Sequence, residues 1–145
     1  EDTQVGRKVR QEIEAGILSP AWFAMYLYQK ALFSIPEGQS AIFDGFNRKI
    51  EEAKLVVDSL AWLGRAFQVV NIVISDEEAM KRIALRKLES DRVDDNFVPE
   101  RLKEYNKFTK EAIELFRAAG VLVEVDGERS REDIAADVRA KLNIQ

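Results

Sequence analysis

The sequence has no cysteine and no histidine among its 145 residues. The lack of cysteine excludes a disulfide framework, a thiol nucleophile and a cysteine-ligated zinc site. The lack of histidine removes the commonest general base and the commonest metal ligand. No apolar run approaches the roughly 20 residues of a membrane-spanning helix, and no signal peptide opens the sequence. We therefore expect a cytoplasmic protein with no membrane partner.

Proline and glycine are also scarce, with three and seven residues, so no flexible linker divides the chain. The length and the 46% hydrophobic content suit one folded domain. The 22 basic residues against 26 acidic ones give a net charge of −4, which argues against non-specific nucleic-acid binding. We expect a monomer without a nucleic-acid partner.

Helical patterns alternate with short apolar segments along the chain. Helices are predicted over Gln4–Ala15, from the Ser19-Pro20 pair through Phe33, over Ile50–Leu63, after a Ser75–Glu78 capping box, from Pro99 to Gly120, and after Ser130, which caps with Asp133. Strands are predicted over Ser40–Phe43, Phe67–Ile74 and Val121–Val125. This order favours an α/β fold, a three-layer parallel sheet whose crossover helices cover both faces.

Three strands are few for such a sheet, which usually has about five or six. Two helices precede the first predicted strand, and the opening residues lead directly into a helix. We therefore expect the first strands of the fold to be missing from this sequence and to belong to a further N-terminal segment.

The segment Asp44-Gly45-Phe46-Asn47-Arg48 directly follows a predicted strand, at the sheet edge where α/β folds bind ligands. A carboxylate there can hold a hydrated Mg²⁺, and the arginine fork suits a phosphate group. The alternative is an ordinary hairpin turn, which is disfavoured because a helix follows.

Further along the chain, four arginines are expected to converge near one hinge region between two predicted helices. They are Arg82, Arg86, Arg92 and Arg101. Each alone is best interpreted as solvated surface charge, but together they predict an electropositive clamp for polyphosphate. Arg65 has no such neighbours and is interpreted as surface charge.

These motifs resemble those of the adenylate kinases and related nucleoside monophosphate kinases. Residues 44–48 resemble the D-G-F-P-R motif, with Asn47 in place of proline. The runs 81–86, 92–96 and 101–105 resemble the lid and post-lid signature in the same order, and residues 125–127 the last strand and its turn. The resemblance implies the P-loop NTPase-like nucleoside monophosphate kinase fold, with residues 1–145 as one domain that lacks its N-terminus. Residues 1–34 would form part of the monophosphate-binding subdomain and 87–91 a short lid without zinc.

The same resemblance implies a role for each matching residue. The AMP pocket would be formed by Ile17, Leu18, Ser19, Gly45, Phe46, Asn47, Arg48 and Glu52, with Arg48 on the phosphate. ATP would be held by Arg82 against adenine, Arg86 on phosphate and the Arg129 backbone. Arg86, Arg92 and Arg101 would be catalytic, and Asp44 would support Mg²⁺ through water.

The implied activity is phosphoryl transfer from MgATP to AMP, giving two ADP, a reaction of nucleotide biosynthesis. Two alternatives stay open: a kinase for GMP, UMP or CMP, and a non-catalytic nucleotide-binding module. Glu52 stands where the family pattern has a glutamine that contacts the AMP base. A carboxylate only accepts hydrogen bonds, so the local chemistry favours guanine, whereas the resemblance of the whole chain favours AMP, which we expect. From composition alone, Glu51 and Glu52 would be a solvent-facing pair on an amphipathic helix.

The sequence contains no G-x-x-x-x-G-K-[ST] phosphate loop. We therefore expect the 145 residues alone to lack kinase activity.

Overall fold

The computed structural model describes residues 2–15, 17, 19–89, 103 and 105–144 of the chain, of which residues 87–89 and 106 are described by their backbone alone. The helices are α1 Gln4–Glu14, α2 Ala21–Phe33, α3 Ile50–Trp62, α4 Asp76–Glu89, α5 Lys110–Ala118 and α6 Arg131–Leu142. A π-helical turn at Tyr105–Thr109 leads directly into α5. The strands are β1 Val69–Val73 and β2 Leu122–Asp126.

The two strands form a parallel sheet in which Val69 lies opposite Leu122 and Val73 opposite Asp126. A parallel pair needs a crossover, and the chain between β1 and β2 includes the helices α4 and α5. The α/β class is thus confirmed. The predicted three-layer sheet is not: the described residues show two strands.

The core lies where α2, α3 and α5 meet. Its buried side chains are Tyr28 and Leu32 from α2, Ala53, Val56 and Leu60 from α3, and Ala112 and Phe116 from α5. Phe67, Val69, Val121 and Leu122, at the start of each strand, pack against this cluster. The buried cluster therefore rests against the start of the sheet, and α5 and α6 both contact β2.

The predicted strand at Ser40–Phe43 is wrong. These residues belong to no strand, and the Ile42 side chain is 94% exposed. A strand exists only through a hydrogen-bonded ladder, and no described strand lies beside this segment. The burial of Phe67–Ile74 is also less complete than predicted, because Ile72 at the end of β1 is 52% exposed.

Most predicted helix ends are confirmed by their caps. The Ser75 Oγ accepts from the Glu78 N–H at 3.2 Å, and the Ser130 Oγ accepts from the Asp133 N–H at 3.1 Å. Gly120 follows α5 with a φ of 70°, the left-handed conformation of a helix C-terminus. The start of α2 differs by one residue, since Pro20 rather than Ser19 occupies the N-cap position.

Candidate functional site

The loop at residues 44–49, between the segment Ser40–Phe43 and α3, has an unusual backbone. Gly45 has a φ of 77° and Asn47 a φ of 69°, so two residues of this short loop are left-handed. Asparagine tolerates this conformation, whereas a proline ring holds φ near −65°. Asn47, in place of the proline of the D-G-F-P-R motif, therefore matches a backbone that proline cannot adopt.

The Phe46 ring anchors this loop on the core. It stacks on the Tyr28 ring with centroids 4.6 Å apart and an interplanar angle of 15°. Tyr28 itself is 4% exposed, and burial raises the pKa of its phenol above the ordinary value. Its hydroxyl has no partner at good hydrogen-bond geometry among the described residues, but Ser59 lies near enough to lower the phenol pKa and partly offset the effect of burial. The contact is therefore apolar stacking, which holds the loop against α2.

Arg48 folds back over this loop. Its Nε donates to the Gly45 carbonyl at 3.1 Å. No carboxylate among the described residues forms an ion pair with Arg48, so this hydrogen bond leaves both terminal nitrogens of the guanidinium available. Such a fork can bind a phosphate in a bidentate manner.

The Glu52 carboxylate holds the Arg48 backbone through hydrogen bonds. Its Oε2 accepts from the Arg48 N–H at 2.9 Å and from the Lys49 N–H at 3.3 Å. The residue is 4% exposed, while Glu51 beside it is exposed. The interpretation of Glu51 and Glu52 as a solvent-facing pair is therefore wrong for Glu52, which caps α3.

Lys49 links this loop to the start of α2, a role that the sequence did not suggest. Its Nζ donates to the Ser19 carbonyl at 3.0 Å, across 30 residues of sequence. Two of the segments assigned to the AMP pocket are thus brought together. Ile17 is described and largely exposed, while Leu18 lies outside the described residues.

A second cluster lies beyond the carboxyl ends of the two strands. The Arg82 Nε donates to the Glu78 Oε1 at 2.6 Å, and its Nη2 lies 3.5 Å from the Arg129 carbonyl. The hydrogen bond from Arg82 lowers the pKa of Glu78. Glu128 accepts from the Ser75 N–H at 2.7 Å. Arg82 and the Arg129 backbone, predicted as ATP contacts, are therefore neighbours.

The turn after β2 has no room for a larger residue. A Cβ on Gly127 would lie 2.6 Å from the Cγ2 atoms of both Ile72 and Ile74, and the Gly127 N–H donates to the Val73 carbonyl at 2.8 Å. Glycine thus lets the turn lie directly on the end of β1. The Arg129 side chain is held by Asp137 at 2.7 Å, which fixes its backbone near Arg82.

The remaining arginines singled out in the sequence lie in different parts of the chain, and two of them are outside the described residues. Arg86 lies one turn beyond Arg82 on α4 and is half-buried. Arg92, Arg101 and positions 90–91 of the predicted lid lie outside the described residues. Arg65 is not simple surface charge, because its Nη2 donates to the Gln39 carbonyl and ties the end of α3 to the segment before Asp44.

No group of three or more acidic side chains that could hold a metal ion occurs among the described residues. The described part of the chain also has no helix long and apolar enough to cross a membrane.

Comparisons with known proteins agree on one family, although no family model matches the chain. An adenylate kinase of Phenylobacterium zucineum is 36% identical over 145 residues, which cover 97% of this chain and 75% of the relative. An adenylate kinase of Leptospira biflexa is 32% identical over 91% of this chain and 73% of its own length. That of Thermus thermophilus is 33% identical over 98% and 75%. With identities of 32–36% over 91–98% of its length, the chain belongs to the adenylate kinase family.

Proposed function

We propose that this protein transfers a phosphoryl group from MgATP to AMP and so forms two ADP. The observation that carries the proposal is the loop at Arg48, in a chain of the adenylate kinase family. The loop presents an arginine fork with no carboxylate partner among the described residues. The Lys49–Ser19 contact joins it to the segment assigned to the AMP pocket.

The residue types present suit this chemistry. Phosphoryl transfer depends on positioning and on electrostatic stabilisation of the transferred group, and it needs no covalent intermediate. Arginine supplies positive charge at any physiological pH. The absence of histidine and cysteine is therefore compatible with the reaction.

Asp44 is the residue that would hold Mg²⁺, through water. Magnesium keeps several of its waters and is usually bound by one or two carboxylates together with substrate phosphates, so a dedicated cluster of acidic residues is not required. Asp44 is exposed at the start of the loop, and a single accessible carboxylate fits such a site. Bound magnesium would neutralise phosphate charge during transfer.

On the acceptor side, Arg48 would bind the phosphate of AMP, while Ile17, Leu18 and Ser19 would line the nucleoside pocket. The backbone of residues 45–47, with Phe46 at its centre, would bind the phosphate together with Arg48, and Glu52 would lie near the base. The Phe46–Tyr28 stack and the Glu52 cap support these assignments, because they hold the backbone that presents Arg48.

On the ATP side, Arg82 would lie against adenine beside the Arg129 backbone, with Arg86 on phosphate. The 3.5 Å approach of Arg82 Nη2 to the Arg129 carbonyl supports a shared site. Arg86, Arg92 and Arg101 would gather positive charge around the transferred group. We place the reaction in the cytoplasm, with the protein as a monomer.

The test is ADP formation from ATP and AMP by the full-length protein, with Arg86→Ala as the variant. Its turnover should fall by about 10³–10⁵, the contribution of an arginine at a transferring phosphoryl group. Arg139→Ala is the matched control, because Arg139 is an exposed arginine on α6. Equal, small effects of the two substitutions would contradict the proposal.

A second candidate is a nucleotide-binding module that does not catalyse transfer. Its basis is that the arginines at Arg48 and Arg82 could serve as a binding surface for phosphate without taking part in transfer. Calorimetric binding of AMP and ATP, without ADP formation when both are present with Mg²⁺, would support this candidate.

A further inference from the structure

We infer that Lys49 is a positioning residue that sets the affinity of the acceptor pocket, an inference that rests on the proposed function. Lys49 is the last residue before α3, and its side chain is half-buried. Its backbone and its side chain are held by different partners. The two sets of contacts together determine the distance between the Arg48 loop and the start of α2.

The backbone of Lys49 is held first. Its N–H donates to the Glu52 Oε2, which also accepts from the N–H of Arg48. The carboxylate of a buried glutamate thus connects both residues to the first turn of α3. A shift of Lys49 would therefore move Arg48 with it.

The side chain then crosses to another part of the molecule. Lys49 Nζ donates to the Ser19 carbonyl at 3.0 Å and lies 5.6 Å from the centre of the Phe108 ring. Pro20, which follows Ser19, begins α2 as its N-cap residue. The ammonium group therefore ties the α1–α2 connection to the acceptor loop.

A hydrogen bond from an ammonium group is stronger than one between neutral groups, and partial burial reduces competition from water. Without it, no other described hydrogen bond joins Ser19 to the Arg48 loop, and the Phe46–Tyr28 stack alone holds the loop to α2, more than one helical turn from its start. The pocket between them would then be wider on average, and AMP would have to restore the geometry on binding. We expect this cost to appear in AMP binding and not in ATP binding.

The chain offers a matched control in Lys107. Its Nζ lies 4.7 Å from the centre of the same Phe108 ring. Lys107 shares the cation–π contact with Lys49 and has no described contact with Ser19. Comparing Lys49→Met with Lys107→Met therefore separates the link to Ser19 from the contact with the ring.

The experiment is calorimetric titration of the wild type and the variants with AMP and, separately, with ATP. Lys49→Met should raise the Kd for AMP about tenfold, the loss expected for one charge-assisted hydrogen bond. Its Kd for ATP should stay within about twofold, and Lys107→Met should leave both constants unchanged. Lys49→Arg, which keeps a charged donor, should restore most of the AMP affinity.

Three outcomes would overturn the inference. They are equal effects of Lys49→Met and Lys107→Met, equal weakening of AMP and ATP, and Lys49→Arg as weak as Lys49→Met. If Lys49→Met does not fold by circular dichroism, Lys49→Gln takes its place and the same three outcomes apply. A wild-type protein that binds no nucleoside monophosphate would overturn the proposed function as well, which separates the two failures.

Discussion

Substitution of Glu52 tests whether its carboxylate holds the acceptor loop. Glu52→Ala removes the acceptor of the Arg48 and Lys49 N–H groups, at 2.9 and 3.3 Å. Loss of a helix cap costs about 1 kcal/mol, and a buried N–H without a partner costs about 1–3 kcal/mol. Both donors belong to half-buried residues that water can partly reach, so we expect a loss of about 2 kcal/mol in the free energy of unfolding.

Urea unfolding monitored by circular dichroism measures this loss. Glu51→Ala is the matched control, because Glu51 lies in the same first turn of α3 and is exposed. We expect it to cost about 0.5 kcal/mol or less, the scale of a surface charge near a helix N-terminus. If Glu52→Ala is no more destabilising than Glu51→Ala, the cap does not hold the loop as argued.

Glu52→Gln addresses the acceptor base with the same residue. Both cap hydrogen bonds end on Oε2, so Oε1 takes no part in either. A glutamine keeps one oxygen for the cap and gains a donor that a carboxylate lacks. We expect the full-length wild type to prefer AMP in kcat/KM over GMP, CMP and UMP. A preference for GMP that Glu52→Gln shifts toward AMP would show that the choice of AMP is wrong.

Three further predictions concern the residues that support the two clusters. Gly127→Ala should destabilise the protein by about 1–3 kcal/mol in urea unfolding, because the new Cβ would lie 2.6 Å from two isoleucine methyl groups. Gly120→Ala is the control, since Gly120 has a left-handed backbone but open space around it. A loss for Gly127→Ala no larger than that for Gly120→Ala would contradict the packing argument. Tyr28→Phe should change stability by less than about 1 kcal/mol at neutral pH, because the hydroxyl has only a weak contact, with Ser59, to lose. Burial raises the pKa of Tyr28 in the folded protein. The stability that the neutral phenol contributes is therefore complete below the unfolded-state pKa and is lost as the pH rises through the folded-state pKa. Tyr28→Phe should remove the most alkaline component of the phenolate absorbance titration, and an unchanged titration would refute this. Asn47→Pro should destabilise the protein by more than about 1 kcal/mol, because proline cannot adopt the positive φ, whereas Asn47→Gly should be tolerated. Equal unfolding midpoints for the two variants would contradict the left-handed backbone.

Features that depend on near neighbours in sequence were predictable. The caps at Ser75 and Ser130 join a hydroxyl to an N–H three residues later, and Gly120 ends α5 through its own left-handed backbone. In each case the residues that interact are a few positions apart, so their types and spacing predict the contact.

Features that depend on distant partners were not predictable. Ser40–Phe43 has the composition of a strand, but a strand also requires a neighbour that completes its hydrogen bonds. Arg65 looked like surface charge because its acceptor, the Gln39 carbonyl, lies 26 residues away and is a backbone atom. A backbone carbonyl carries no sequence signal, so no pattern of residue types reveals such a contact.

The candidate site combines both kinds of feature. The motif at Asp44–Arg48 indicates the residues that would contact nucleotide, because phosphate binding demands particular side chains at a particular spacing. The residues that hold the loop in place follow no such demand: Glu52 acts through backbone N–H groups and Lys49 through a backbone carbonyl. Different side chains could therefore meet the same mechanical need in other members of the family. The effect of a substitution in this loop thus depends on contacts with backbone atoms that the motif does not specify. The Glu52 variants measure what such contacts contribute to the free energy of unfolding, and the Lys49 variants measure what they contribute to AMP affinity.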